Sequence, residues 1–149
     1  VITGFLSSLL VITQIENYNH LLLFIVIVNT ALVDIFAYLI GSRYGKTPLL
    51  QNISPNKTLE GLLGGILSSM AFIVLLFIFF NLSSVMALIL FISSIFAFVG
   101  DYSISYLKRR SSIKDTGNIL PGHGGILDRV DSHLSAATIF TFLYIFIQI

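Results

Sequence analysis

With 149 residues, 56% of them apolar and only 10% charged, the chain falls far below the roughly 25% charge content of soluble domains. Together with a mean hydropathy of +0.96, this excludes a soluble globular enzyme and leaves an all-α, polytopic integral membrane bundle. A net charge of +1 gives no surplus that calls for nucleic acid as a partner, and the absence of cysteine excludes a disulfide framework, a thiolate nucleophile and a zinc–thiolate site.

The sequence begins at Val1 rather than Met, with no basic segment ahead of its first apolar run, so no signal peptide is read and an N-terminally truncated chain is expected. Val1 to Ile15 gives a partial span, followed by a polar link with Glu16, Asn17, Asn19 and His20. A bilayer core of about 30 Å takes roughly 20 helical residues, which Leu21 to Ile40 supplies. Asp34 interrupts that span six residues before its end, about 9 Å along the axis. A charge at the bilayer centre costs at least about 2.5 kcal/mol, so Asp34 is read either as lining a substrate cleft or as pairing with a neighbouring helix.

The loop Gly41 to Gly61, GSRYGKTPLLQNISPNKTLEG, carries Arg43, Lys46 and Lys57. Ser54 followed by Pro55 reads as an N-cap and first helical residue, which predicts a short helix bearing Lys57, Thr58 and Glu60. It serves either as a capped connector or as a cationic cover for a triphosphate or lipid phosphate. Gly61, Gly64 and Gly65 open the next span, Leu62 to Phe80, where small residues permit close helix packing. Asn81 to Ser84 leads into the span Val85 to Val99, and after the loop Asp101 to His133 the segment Leu134 to Ile149 completes a count of about five helices. One transmembrane domain over residues 1–149 suffices. The loops at about 41–61 and 101–133 are two spans apart and share one face with all eight Lys and Arg, which the positive-inside rule assigns to the cytoplasm.

The chemistry concentrates in Ser105 to Asp131, SYLKRRSSIKDTGNILPGHGGILDRVD, which holds five of the eight basic and three of the seven acidic residues. Asp101 follows Gly100 at the expected end of the fourth helix, and Asp128 and Asp131 stand at the expected start of the fifth. Residues three apart share one helical face. Three carboxylates from two helix ends, without His or Cys pairs, suit Mg²⁺ with water and substrate phosphates completing its shell. Acids in a first helical turn also complement the macrodipole, and a salt bridge to Arg129 is an equally ordinary explanation. Between the acids lie Ser105, Lys108, Arg109, Lys114 and a glycine-rich stretch with Gly124 and Gly125, where backbone and cations can approach phosphate oxygens. A basic cluster that only binds anionic lipid headgroups explains the cations but not the acids and glycines. His123 remains open as general acid, phosphate donor or loop hydrogen-bond former. Neither GxxxxGK[ST] nor GxGxxG is present, which argues against the common soluble nucleotide folds.

Ser105, Lys108, Arg109, Lys114, Asp115, Gly117, Pro121, His123, Gly124, Gly125, Asp128, Arg129 and Asp131 together resemble, without a gap, the signature of the phosphatidate cytidylyltransferases, or CDP-diacylglycerol synthases. DIFAYLIGSRYGK from Asp34 and SPNKTLEG from Ser54 also look like that family, so the resemblance runs from about Asp34 to the C-terminus. It implies transfer of a cytidylyl group from CTP to phosphatidate in a bacterial inner membrane, giving CDP-diacylglycerol and pyrophosphate, by a Mg²⁺-dependent helical membrane enzyme that is similar to dimeric members. A second, monovalent cation is left open. Carried onto this chain, the resemblance implies metal binding by Asp101, Asp128 and Asp131, with Ser105, Lys108 and Arg109 contacting the metal or the phosphates. Taken with the residue reading, catalytic work is expected at Asp128, Asp131, Lys108 and His123, and substrate contacts from Ser105, Arg109, Lys114, Gly124, Gly125, Arg129, Lys57 and Asp34. The alternatives are another lipid phosphate acceptor, ether or polyprenyl, and a non-catalytic membrane homologue.

Overall fold

The computed structural model describes residues 19–50, 54–111, 113 and 127–148. Helix α1 (Asn19–Tyr44) is followed by a hairpin of strands β1 (Pro48–Leu50) and β2 (Ser54–Thr58), then by α2 (Leu59–Phe80), α3 (Ser84–Arg110) and α4 (Leu127–Gln148). All four helices are long and apolar enough to cross a membrane, and the shortest, at 22 residues, extends about 33 Å. The expected first span, Val1 to Ile15, lies outside the described residues.

Local signals set the helix ends. Thr58, in extended conformation, caps α2 by accepting the Gly61 N–H at 3.2 Å, and Glu60 places negative charge in the first turn. Asn81 ends the same helix in the left-handed region at φ 51°, and Ser83 caps α3 through the Met86 N–H. Lys108, Arg109 and Arg110 occupy the last turn of α3, where they complement the exposed carbonyls.

Several boundaries differ from the sequence reading: α1 runs on to Tyr44 and α4 starts at Leu127, inside the loops expected at 41–61 and 101–133. Asp101 does not end its helix: α3 continues to Arg110, so Asp101 stands about 14 Å inside that end and Ser105, Lys108 and Arg109 are helical rather than in a loop. No proline falls between Gly100 and Arg110, and one glycine alone does not stop a helix. Ser54 and Pro55 do not begin a helix either. They enter β2, which pairs antiparallel with β1 in the register Pro48↔Thr58 and Leu50↔Ser54. Proline disfavours the α region for the residue before it, which favours the extended backbone seen at Ser54.

Helix α1 packs mainly on α2, and α3 mainly on α4. A Cβ added at Gly61 would lie 2.7 Å from the Ala37 carbonyl oxygen, and one at Gly65 would lie 2.8 Å from that of Val33, so the expected small-residue packing joins α1 to α2. The main apolar cluster draws on all four helices, through Leu22, Val26, Ile73, Leu76, Ile89, Leu90 and Phe140. Within this bundle Ser69 donates to Asn29 Oδ1 at 2.9 Å, and Asn29 Nδ2 donates to the Leu90 carbonyl at 3.4 Å. These bonds tie α1, α2 and α3 where no water competes. Outward-facing Phe24, Phe79, Phe80, Phe142 and Phe146 form the surface that lipid covers.

Candidate active site

At the end of the bundle away from the apolar cluster, a cavity of about 410 Å³ opens beneath the hairpin. Asp34, Ala37 and Tyr38 come from α1, Gly61 and Leu62 from α2, Phe98 and Asp101 from α3, and Asp131 and Ser132 from α4, while β2 contributes Ser54, Lys57 and Thr58. This end unites the C-terminal halves of α1 and α3 with the N-terminal ends of α2 and α4. Arg43 and the Lys108–Arg110 turn therefore share one face of the bundle, as the charge pattern predicts.

Asp101 and Asp131 meet because α3 and α4 touch just behind them. Gly100 lies so close to Ser135 that an added Cβ would overlap its side chain, and the Asp131 carbonyl oxygen is 3.2 Å from the same point. Both carboxyl groups line the same cavity. Ser132 stands beside Asp131, its backbone N–H donating to Asp131 Oδ1 at 2.9 Å and its hydroxyl donating to the same oxygen at 3.4 Å. Lys57 pairs with Asp101 Oδ2 at 2.7 Å, donates to Ser105 Oγ at 3.3 Å, and sits 6.0 Å from the centre of the Phe98 ring. Asp101, Ser105, Lys108 and Arg109 recur at helical spacing and share one side of α3.

The hairpin that carries Lys57 is fastened from the helix below it. The Glu60 carboxylate accepts the N–H groups of Lys46 and Thr47 at 3.1 and 3.2 Å and the Thr47 hydroxyl at 2.9 Å. Leu59 N–H adds a bond to the Thr47 carbonyl at 2.9 Å. Bonds to a charged acceptor are among the stronger ones available to an exposed turn.

The donor chemistry fits a hard divalent cation. Three carboxylates and a serine hydroxyl offer only oxygen, and three formal negative charges face the one positive charge of Lys57. Among the described residues no three His, Cys, Asp or Glu side chains close on a single point. A divalent ion held here would draw most of its shell from water and phosphate oxygens.

Of the residues singled out from the sequence, Asp34, Lys57, Asp101 and Asp131 line the cavity and Ser105 touches it through Lys57. Lys108 and Arg109 follow on the same helix toward the basic face. Asp128 and Arg129 belong to the first turn of α4, but their side chains lie outside the described residues, as do Lys114, His123, Gly124 and Gly125. Ser132, Tyr38 and Phe98 escaped the sequence reading. Ser132 adjoins a singled-out acid, and Tyr38 falls one helical turn after Asp34, a spacing that would have placed it on the same face.

Residues 1–147 match the profile of the Cytidylyltransferase family. The chain is 44% identical over 117 residues to the phosphatidate cytidylyltransferase of Staphylococcus haemolyticus, covering 76% of this chain and 45% of that protein. Its identity to the phosphatidate cytidylyltransferase of Aquifex aeolicus is 41% over 136 residues, covering 91% and 51%, and to that of Haemophilus influenzae 33% over 149 residues, covering 90% and 51%. The chain thus spans about half the length of the curated relatives it matches. Its fold is shared with a solved intramembrane enzyme for archaeal membrane lipids biosynthesis, at a TM-score of 0.58 and 24% identity, over 78% of this chain and 76% of that one. With a family match that runs nearly end to end, this integral membrane chain belongs to the cytidylyltransferase family.

Proposed function

We propose that the chain transfers a cytidylyl group from CTP to phosphatidate, releasing pyrophosphate and forming CDP-diacylglycerol at the cytoplasmic face of a bacterial inner membrane. The observation that carries this reading is the convergence of Asp34, Asp101 and Asp131, from three helices, on one cavity with Lys57. The relatives' naming as phosphatidate cytidylyltransferases supports the choice of substrates.

In this reaction a phosphatidate oxygen forms a bond to the α-phosphorus of CTP while the bond from that phosphorus to the β,γ-bridged leaving group breaks in line. No covalent enzyme intermediate is required, so positioning and charge stabilisation account for the rate. Asp101, Asp128 and Asp131 would hold Mg²⁺, which would supply positive charge to offset that developing on the phosphates. Lys57, Lys108, Arg109, Lys114 and Arg129 hold the phosphates, and Ser105 orients Lys57. The apolar wall of Ala37, Leu62 and Phe98 receives the lipid side of the reacting pair. Two copies of the chain form the working assembly, as the family resemblance implies.

The decisive measurement is pyrophosphate release by the purified full chain in lipid nanodiscs supplied with CTP, phosphatidate and Mg²⁺. Stoichiometric pyrophosphate and CDP-diacylglycerol are expected. A folded preparation that yields neither overturns the proposal, and turnover with an ether lipid phosphate but not with phosphatidate reassigns the acceptor.

A further inference from the structure

The Lys57 ammonium is already seated where a cation would be wanted. It is 2.7 Å from Asp101 Oδ2, is held by Ser105, and lines the same cavity as Asp34 and Asp131. Its own side chain is 19% exposed and that of Asp101 28%, so the pair is shielded but not sealed from water. We infer that Lys57 is a tethered surrogate cation: it occupies the carboxylate cluster before substrate arrives, and exchanges onto the nucleotide phosphates when a divalent cation takes its place. This rests on the metal-dependent reading above and adds the exchange to it.

Three physical points lead there. Asp34, Asp101 and Asp131 line one cavity with the Lys57 ammonium among them, so the position it holds is one that attracts a cation from three sides. A divalent ion and an ammonium cannot share Asp101 Oδ2 without strong repulsion, so one must leave as the other binds. A lysine can leave at little cost, because its charge rides on a flexible four-carbon stem, whereas its strand stays anchored by Glu60 at the foot of the hairpin. The ammonium then travels with its stem, and the nearest new anion is the triphosphate.

Coupling follows directly. Divalent cation alone competes with Lys57 and binds weakly, whereas cation together with CTP gives the displaced ammonium a partner, so each ligand tightens the other.

The test measures Mn²⁺ binding to the full chain by electron paramagnetic resonance, with and without CTP. Lys57→Met is expected to tighten Mn²⁺ in the absence of nucleotide by about tenfold, and to remove most of the further tightening that CTP produces in the unsubstituted protein. Equal or weaker Mn²⁺ affinity in Lys57→Met overturns the exchange while leaving the metal-dependent reading intact. No Mn²⁺ binding in either protein overturns that reading, and the exchange with it. A second measurement needs no substitution: labelling with an amine-reactive reagent, read by mass spectrometry against Lys46, should show Mg²⁺ alone raising the reactivity of Lys57. Unchanged or lowered labelling overturns the proposal independently of how Lys57→Met folds.

Discussion

Gly100 of α3 and Ser135 of α4 touch so closely that no side chain fits at position 100, and this contact sets Asp101 beside Asp131. Gly100→Ala should therefore force the two helices apart where the carboxylates meet. Overpacking of this kind costs about 1–3 kcal/mol. A fall in Tm and a loss of turnover are expected together, and the double variant with Ser135→Gly should recover part of both. Normal turnover in Gly100→Ala would show that the helix contact does not set the site.

Asp131→Asn keeps the size of the side chain and removes its charge. Pyrophosphate release should drop by on the order of 100-fold or more, the scale on which one preorganised electrostatic group at a reacting centre acts. Circular dichroism and detergent elution should not change. Retention of most activity would remove Asp131 from the chemistry.

Glu60→Gln leaves α2 intact but replaces a charged acceptor that gathers three donors from Lys46 and Thr47. The amides of Lys46 and Thr47 should exchange hydrogen faster, and the KM for CTP should rise more than kcat falls, because Lys57 hangs from the same hairpin. An unchanged exchange rate at those two amides would mean that the hairpin stands without Glu60.

Asn29 and Ser69 form their bond deep in the apolar interior, and interhelical bonds of this type average about 0.6 kcal/mol when measured by double-mutant cycles. Asn29→Ala, Ser69→Ala and the double variant should show a coupling of that size in unfolding from mixed micelles. Additive effects would assign the pair no role in holding α1 to α2.

The spans were legible because long apolar runs have few other uses, and Asp34 stood out because a carboxylate is rare in one. Helix ends were less so. The end of α3 was misplaced by ten or so residues, since a helix that turns polar on one face while staying helical looks, in sequence, like a helix followed by a loop. Ser54–Pro55 fits both an N-cap and a strand entry, and pairing with residues 48–50 decides between them. The joining of Lys57 to Asp101 spans 44 positions and has no local signature, so only the packed bundle discloses it. Asn29 was passed over because a lone amide in an apolar run declares nothing until its partner on another helix is known.

The apolar cluster of Leu22, Ile73, Leu90 and Phe140 clasps the helices at one end, while the acids and the hairpin occupy the other. The grip and the polar residues are thus kept apart on the same four rods, so a substitution among the acids leaves the clasp at the far end untouched.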